Sequence, residues 1–176
     1  TSPGNQGGTN WYPPSFSPST GLFYFSAWED YATIYRAEES EYIPGRAFLG
    51  GGFSVLAPSP GAPTIGIGRP NPINNWTSEV GYAALKAMDP QTGEAVWSYD
   101  QFDVSDSGML TTASDLLFTG GREGYFHGID AQSGDLLWNV NLGGQIVMAP
   151  VTYMVEGVQY VSVISGNSLS TFALEE

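Results

Sequence analysis

The sequence AMDPQTGEAVW at residues 87–97 recurs as GIDAQSGDLLW at residues 128–138, an offset of 41 positions. Both copies keep Asp, Gln, Gly, an acidic residue and Trp at corresponding places. Each copy predicts a hairpin: an apolar strand, a turn in which Asp accepts hydrogen bonds from nearby amides and Gly takes a positive φ, and a second strand that carries Trp. Repeats of about 40–50 residues are typical of β-propeller blades. The repeat therefore predicts an all-β fold of four-stranded antiparallel units.

The rest of the chain can be divided into similar units, because short apolar segments alternate with Gly-rich turns on both sides of the repeat. We predict a β-propeller segment of nearly three four-stranded blades. The first predicted blade has strands near Pro14–Phe16 and Leu22–Ala27 and the hairpin Leu85–Tyr99, and it is split by a Gly- and Pro-rich loop at about 35–79. The second predicted blade lies at about 109–142, and an incomplete third blade lies at about 146–176. Because propeller rings have about 4–8 blades, we expect this chain to be part of a larger ring.

The composition of the chain excludes several functions. Eighteen acidic residues stand against five basic ones, which gives a formal net charge of −13. Nucleic-acid binding needs a positive surface, so it is not expected. The acidity indicates either a self-repelling exterior or a cationic partner such as a basic electron carrier. There is no cysteine, which excludes disulfides and thiolate metal sites, and no apolar run approaches the roughly 18 residues of a membrane-spanning helix.

The N-terminal stretch raises the question of function. Its first residues, TSPGNQGG, lack the basic and hydrophobic segments of a signal peptide, and we expect a chain that begins in such a loop to be cut from a longer protein. The next stretch, GGTNWYPPSF at residues 7–16, is too rich in Gly and Pro for regular structure. It predicts a fixed, irregular loop that presents Asn10 and Trp11. The only histidine, His127, falls in a predicted strand, and we expect it to be structural.

Four stretches of the sequence carry a resemblance to one family. They are GGTNWYPPSFSPSTGLFYF, with a Gly-Gly-x-Asn-Trp-x-Pro segment; YIPGRAFLGGG, with a Pro-Gly-x-x-x-x-Gly pattern; LKAMDPQTGEAVW; and the blade from LLFTGG to LLWNVNLG. Together they resemble the pyrroloquinoline quinone (PQQ)-dependent alcohol dehydrogenases, eight-bladed quinoproteins that include methanol dehydrogenase. The last two stretches are similar to the tryptophan docking motifs of that family. The resemblance runs from Gly7 to about Gly166.

The resemblance implies a cofactor site at the N-terminal loop. In the family, the Asn of the Gly-Gly-x-Asn-Trp loop lies beside the quinone, which implies this role for Asn10, with Trp11 as a shaping residue. An amide can donate a hydrogen bond to a quinone oxygen. The alternative is that Asn10 caps a Gly-rich turn and Trp11 packs beneath it. The resemblance also implies a backbone contact with PQQ near Asp106, where a relative has tryptophan, and a plain turn residue is the alternative there.

The resemblance implies an intact enzyme that oxidises primary alcohols by hydride transfer to PQQ, uses calcium, and passes electrons to a cytochrome in the periplasm. The catalytic Asp, the calcium ligands and the vicinal disulfide of the family belong to segments that nothing in this sequence matches. No catalytic or metal-binding residue is therefore assigned to this chain. Two alternatives stay open: a non-catalytic propeller scaffold that binds other proteins, and a short protein that completes its ring by self-association as a homo-oligomer.

Overall fold

The structure, a computed structural model, describes residues 3, 7–29, 31–37, 39–46, 48, 51–58, 82–101 and 105–173. These residues contain no helix, and their strands pair in antiparallel fashion. The prediction of an all-β fold with four-stranded antiparallel sheets is confirmed for this part of the chain. The strands are β1 (Ser15–Ser17), β2 (Leu22–Glu29), β3 (Tyr31–Ala37), β4 (Gly51–Pro58), β5 (Tyr82–Met88), β6 (Ala95–Gln101), β7 (Leu110–Thr111), β8 (Leu116–Gly120), β9 (Tyr125–Asp130), β10 (Leu136–Asn141), β11 (Val151–Val155), β12 (Val158–Ser165) and β13 (Ser168–Ala173).

The first sheet has the order β1-β2-β5-β6, so the chain leaves the sheet after β2 and returns at β5. The segment between them contains β3 and β4, which pair as a separate two-stranded sheet. The sequence predicts a loop here, but part of it is strand, because YATIYRA and GGFSVLAP carry aromatic and β-branched residues that favour extended structure. Residues 59–81, which include most of the Gly- and Pro-rich stretch, lie outside the described residues.

The second and third sheets follow in chain order. The second has the order β10-β9-β8-β7, in which each strand pairs with the one before it, and the third has the order β11-β12-β13. Strand β12 pairs with both of its neighbours over most of its length. In the described residues the third sheet therefore has three strands where each of the first two has four.

The two copies of the repeated turn have the same local structure. In each, the Asp carboxylate accepts a hydrogen bond of 2.8 Å from the backbone amide two residues later, at Asp89 and at Asp130. The glycine four residues after each Asp takes a left-handed conformation, with φ of +76° at Gly93 and +81° at Gly134. The predicted turn chemistry is therefore confirmed at both places, since a side chain at these glycines would be strained.

Two apolar clusters join consecutive sheets. The buried residues of the first cluster are Tyr24, Leu85 and Ala87 of the first sheet, Leu117 and Ile129 of the second sheet, and Met109 and Ala131 beside it. The buried residues of the second cluster are Phe126 of the second sheet, Ile146 of the following connection, and Val161 and Val163 of the third sheet. Burial of these side chains is the main source of stability that holds the three sheets in sequence.

The junction between the first two sheets is formed around Trp97. Its Nε1 donates a hydrogen bond of 3.1 Å to the carbonyl of Ala131, which also accepts 2.9 Å from the Tyr24 hydroxyl. Its ring lies directly on the second copy of the turn, because a β-carbon at Gly134 would lie 2.8 Å from Cδ2 of Trp97. A tryptophan of the first hairpin therefore packs on the turn of the next hairpin.

Trp138, the counterpart of Trp97, has a more open environment. Its ring centroid lies 5.3 Å from that of Phe172 and 6.0 Å from that of Phe126, and the residue is 40% exposed. Among the described residues, no partner accepts a hydrogen bond from its indole nitrogen. It borders an apolar cavity of about 350 Å³ between the second and third sheets, whose lining includes Phe118, Phe126, Leu137, Val161 and Phe172.

Candidate functional site

The N-terminal loop at residues 7–14, which we call the Asn10 loop, is fixed by backbone hydrogen bonds. The amide of Trp28, near the end of β2, donates to the carbonyl of Gly8 at 2.7 Å. The amide of Met109, just before β7, donates to the carbonyl of Pro13 at 3.0 Å. The loop comes close because Gly108 has no side chain: a β-carbon there would lie 3.0 Å from Cδ of Pro13. A loop without regular structure is thus held in one place against the first and second sheets.

Asn10 and Trp11 lie in the outer part of this loop. Asn10 Oδ1 accepts a hydrogen bond of 2.8 Å from the Trp11 amide, which is a turn-capping contact. The Trp11 side chain is 72% exposed, and its ring packs at a tilt on Tyr12 with 4.8 Å between centroids. The Asn10 oxygen therefore caps a turn, as the structural alternative derived from the sequence states. That alternative does not describe Trp11, whose ring presents an open aromatic surface.

Asp106 lies between β6 and β7 and is 8% exposed. Its Oδ2 accepts a hydrogen bond of 2.5 Å from Arg122 Nε and forms an ion pair with Arg122 Nη2. Arg122 comes from the turn between β8 and β9, so the pair joins two separate connections of the chain. Asp106 is a buried ion-pair residue, which is more than the plain turn residue that the sequence left as an alternative.

Tyr12 connects the Asn10 loop to this ion pair. Burial raises the pKa of the Tyr12 hydroxyl, and the Asp106 carboxylate beside it raises the pKa further, whereas the positive charge of Arg122 lowers it. The phenol is therefore neutral at physiological pH. Through Tyr12, the Asn10 loop therefore adjoins Asp106, the other residue that the sequence singled out.

Sequence reasoning missed Tyr12 and Arg122. A signal for Arg122 was present, since it is the only lysine or arginine that follows Lys86 in a chain with a net charge of −13. It also stands between glycines in the turn GGREG. A cation at such a place needs a negative partner, and Asp106 is that partner. Tyr12 gave no comparable signal, because the chain has ten tyrosines and nothing in their spacing distinguishes this one.

The Arg122–Asp106 pair leaves two polar atoms without a well-aligned hydrogen bond among the described residues, Asp106 Oδ1 and Arg122 Nη1. The side chains of Arg122 and Asp106 are only 10% and 11% exposed. Buried polar atoms are normally paired, so these two atoms indicate a place for a polar ligand or an ordered water. The exposed ring of Trp11 lies in the same loop as Tyr12, the residue that is close to this pair.

The remaining titratable group of note is His127, on β9. It is 9% exposed, and its ring centroid lies 5.8 Å from that of Tyr99 and 6.1 Å from that of Tyr125. Burial lowers the pKa of His127, while Glu123 opposes this shift. Packing between aromatic rings agrees with a structural role.

In the part of the chain that the structure describes, no three His, Asp or Glu side chains lie close enough together to hold a metal ion. In the same ranges, no helix is long and apolar enough to cross a membrane.

Residues 82–175, more than half of the chain, match the family PQQ_2, whose description is outer membrane protein assembly factor BamB. The chain belongs to the PQQ_2 family. The PQQ_2 match includes both copies of the repeat and the whole of the second and third sheets. It does not include the Asn10 loop.

Over most of its length, this PQQ_2 chain is homologous to quinoprotein alcohol dehydrogenases. It is 39% identical over 168 residues to quinoprotein ethanol dehydrogenase of Pseudomonas aeruginosa, covering 94% of this chain and 23% of the relative. It is similar to the structure of a europium-containing methanol dehydrogenase, with TM-score 0.74, 28% identity, and coverage of 92% of this chain and 25% of that chain. It is also similar to quinohemoprotein alcohol dehydrogenase of Comamonas testosteroni, with TM-score 0.65, 29% identity, and coverage of 93% and 23%. The chain thus spans about a quarter of the length of these proteins, and its antiparallel sheets fit their propeller-type fold.

Proposed function

We propose that this chain is part of a PQQ-dependent alcohol dehydrogenase and supplies propeller wall and one side of the cofactor site. The observation that carries the proposal is the position of the Asn10 loop. The segment that resembles the quinone-facing loop of the family is held against Met109 and lies beside the Arg122–Asp106 pair. Its open aromatic surface and the buried unpaired polar atoms next to it suit a flat polar cofactor.

In the intact enzyme, PQQ would supply the acceptor for a hydride from a primary alcohol. On this chain, the amide of Asn10 would donate a hydrogen bond to a polar atom of the ring system. Trp11 would border the ring system with its aromatic surface. Asp106 would contribute through its backbone, because its carboxylate is bound to Arg122. We assign no catalytic base and no metal ligand to this chain.

The metal, the acceptor and the location are part of the same proposal. We propose calcium as the metal of the intact enzyme, held by residues outside this chain, and a cytochrome or haem group as the electron acceptor. The name quinohemoprotein of one similar structure supports the haem-bearing acceptor. A net charge of −13 would also favour docking of a basic electron carrier. Calcium and a periplasmic location rest on the family resemblance alone.

The proposal is tested by titrating PQQ into the chain with calcium present, while the quinone absorbance and the thermal midpoint are followed on one sample. We expect saturable binding and a higher midpoint, because a ligand that binds only the folded state stabilises it. Asn10→Ala should lose both effects. If the folded chain does not change the absorbance and midpoint on addition of PQQ, the proposal of a cofactor-binding segment is wrong.

A second function is favoured by one observation: the PQQ_2 family description is a membrane protein assembly factor, and its match covers the sheets without the Asn10 loop. On this alternative the chain is a non-catalytic scaffold, which could close its ring by association of two or more copies. A scaffold does not need a quinone-facing amide, so it would tolerate Asn10→Ala without loss of partner binding. Sedimentation of the pure chain over a range of concentrations would show whether copies associate.

The finer description of the fold is also a proposal. We interpret the three stacked sheets as blades of a propeller, with Trp97 and Trp138 as docking tryptophans. The packing of Trp97 on Gly134 supports this interpretation. The first blade would be split by the β3–β4 insertion, and the third would need one further strand beside β13.

A further inference from the structure

We propose that Arg122 binds a carboxylate group of PQQ through Nη1, and that Asp106 holds the guanidinium in place while its own charge opposes the bound anion. The inference rests on the proposed function and adds a binding residue that the sequence did not single out. PQQ is a tricarboxylate, so a site for it needs positive charge. The chain has a net charge of −13, which makes the position of each cation informative.

Arg122 is a cation that adjoins the Asn10 loop in the part of the chain that the structure describes. It lies next to Asp106, and its charge acts on the Tyr12 hydroxyl two residues after Asn10. Lys86, by contrast, forms an ion pair with Glu29 on the first sheet. No other lysine or arginine follows Lys86 in the sequence. An anionic ligand at the Asn10 loop would therefore meet Arg122 as its cationic partner on the second sheet.

The guanidinium of Arg122 is oriented before any ligand arrives. Asp106 Oδ2 takes its Nε and Nη2 donors, which leaves Nη1 without a partner among the described residues. The turn that carries Arg122 is itself anchored, since the amides of Ile146 and Gly124 donate to the carbonyl of Gly121 at 3.0 and 3.3 Å. A planar fork held in this way matches a carboxylate with little further loss of side-chain freedom.

A structural ion pair with an ordered water at Nη1 would look the same in the absence of ligand. The two accounts differ in the sign of one effect. If the pair is only structural, loss of either partner should weaken PQQ binding, since each loss loosens the same contact. If Arg122 binds the anion, loss of the Arg122 charge should weaken binding. Asp106→Asn should strengthen it, because the amide oxygen still accepts a hydrogen bond that orients Arg122 while the neighbouring negative charge is removed.

The experiment measures PQQ affinity by quinone absorbance for the full chain and four variants: Arg122→Met, Asp106→Asn, Lys86→Met and Asn10→Ala. It also follows the Arg122 Nε–H signal by NMR during titration of the ¹⁵N-labelled wild type. We expect Arg122→Met to weaken binding about tenfold or more, as for loss of a charged hydrogen bond. We expect Asp106→Asn to tighten binding about threefold. Lys86→Met removes an equal charge that is already paired with Glu29 on β2, so it should leave affinity unchanged. The Arg122 signal should shift on titration with PQQ. It is assigned as the one Nε–H signal that is absent from the spectrum of Arg122→Lys.

The outcomes separate this inference from the proposed function. If PQQ binding is lost in Asn10→Ala, but the Arg122 signal does not shift and Arg122→Met binds PQQ as the wild type does, the inference is wrong and the proposed function stands. Weaker binding in both Arg122→Met and Asp106→Asn, with thermal midpoints that show folded protein, would overturn it in favour of the structural pair. No binding by the folded wild type would overturn both. The NMR shift is measured on the wild type, so it decides the matter even if Arg122→Met or Asp106→Asn does not fold.

Discussion

Trp97 and Trp138 occupy the same position in two copies of one sequence repeat, yet their surroundings differ. Trp97 donates a hydrogen bond to Ala131 and lies on Gly134 of the next sheet. Trp138 is 40% exposed and borders a cavity of about 350 Å³. The difference teaches that this tryptophan is stabilised by the turn of the following unit, and that its own hairpin provides only part of its contacts.

The two turn glycines of the repeat, Gly93 and Gly134, also differ in their surroundings. A β-carbon at Gly134 would collide with the Trp97 ring, whereas one at Gly93 would meet nothing within 4 Å. The turn at Gly134 therefore packs against a tryptophan ring of the preceding hairpin, whereas the turn at Gly93 does not contact one among the described residues. Among the described residues there is one complete junction, one tryptophan without a receiving turn, and one turn without a tryptophan.

The largest expected effect comes from removing the ring of Trp97, which packs on Gly134. We expect Trp97→Ala to lower the free energy of unfolding by about 3 kcal/mol, because it leaves a cavity and removes one of the two hydrogen bonds that the Ala131 carbonyl accepts. Trp138→Ala is the matched control, with an expected loss of about 1 kcal/mol, since its ring is already partly in solvent. Urea unfolding of the two variants measures both values. Equal losses of stability in the two variants would contradict the difference in packing between Trp97 and Trp138.

A smaller effect is expected from the receiving turn. Gly134→Ala should destabilise the fold by about 2 kcal/mol, because alanine is strained at φ of +81° and its β-carbon would push against Trp97. Gly93→Ala, at φ of +76° in open space, should cost only the backbone strain, about 1 kcal/mol. The difference between the two variants isolates the contact with the ring, and no difference in urea midpoint would contradict the packing described here.

The smallest effect is a pH dependence at the first junction, where His127 packs against Tyr99 of the first sheet. Burial lowers the pKa of His127 in the folded state. The unfolded chain therefore binds a proton first as the pH falls through about 6.5, and stability decreases below that pH. We expect the wild type to lose up to about 1 kcal/mol more than His127→Gln between pH 7.5 and 5.5. Parallel loss in both proteins would show that His127 does not contribute.

Much of the fold follows from the sequence because its signals are local. The turn Asp-x-Gln-Ser/Thr-Gly fixes backbone angles and side-chain hydrogen bonds within a few residues, so the hairpins around Asp89 and Asp130 could be located correctly. The strands β3 and β4 were missed because Gly and Pro nearby outweighed a short run of strand-forming residues. The different environments of Trp97 and Trp138 depend on which unit follows each tryptophan. The local sequence around each tryptophan does not encode this.

The candidate site was predictable only in part, for a related reason. The Gly and Pro content of residues 7–16 predicted an irregular loop around Asn10, and the family resemblance indicated a possible role for Asp106. The pairing of Asp106 with Arg122 joins connections that are 16 residues apart. The approach of Tyr12 to that pair joins segments more than 90 residues apart in sequence. Such contacts arise from sheet packing, so no short sequence pattern predicts them.

The most direct test of the account compares PQQ affinity in Asn10→Ala and Trp138→Ala by calorimetric titration with calcium present. The account predicts that the wild type binds, that Asn10→Ala loses binding, and that Trp138→Ala keeps it, because the Asn10 loop adjoins the ligand whereas Trp138 belongs to a junction between sheets. Binding that survives in Asn10→Ala, or is lost only in Trp138→Ala, would contradict the assignment of the cofactor site to the Asn10 loop.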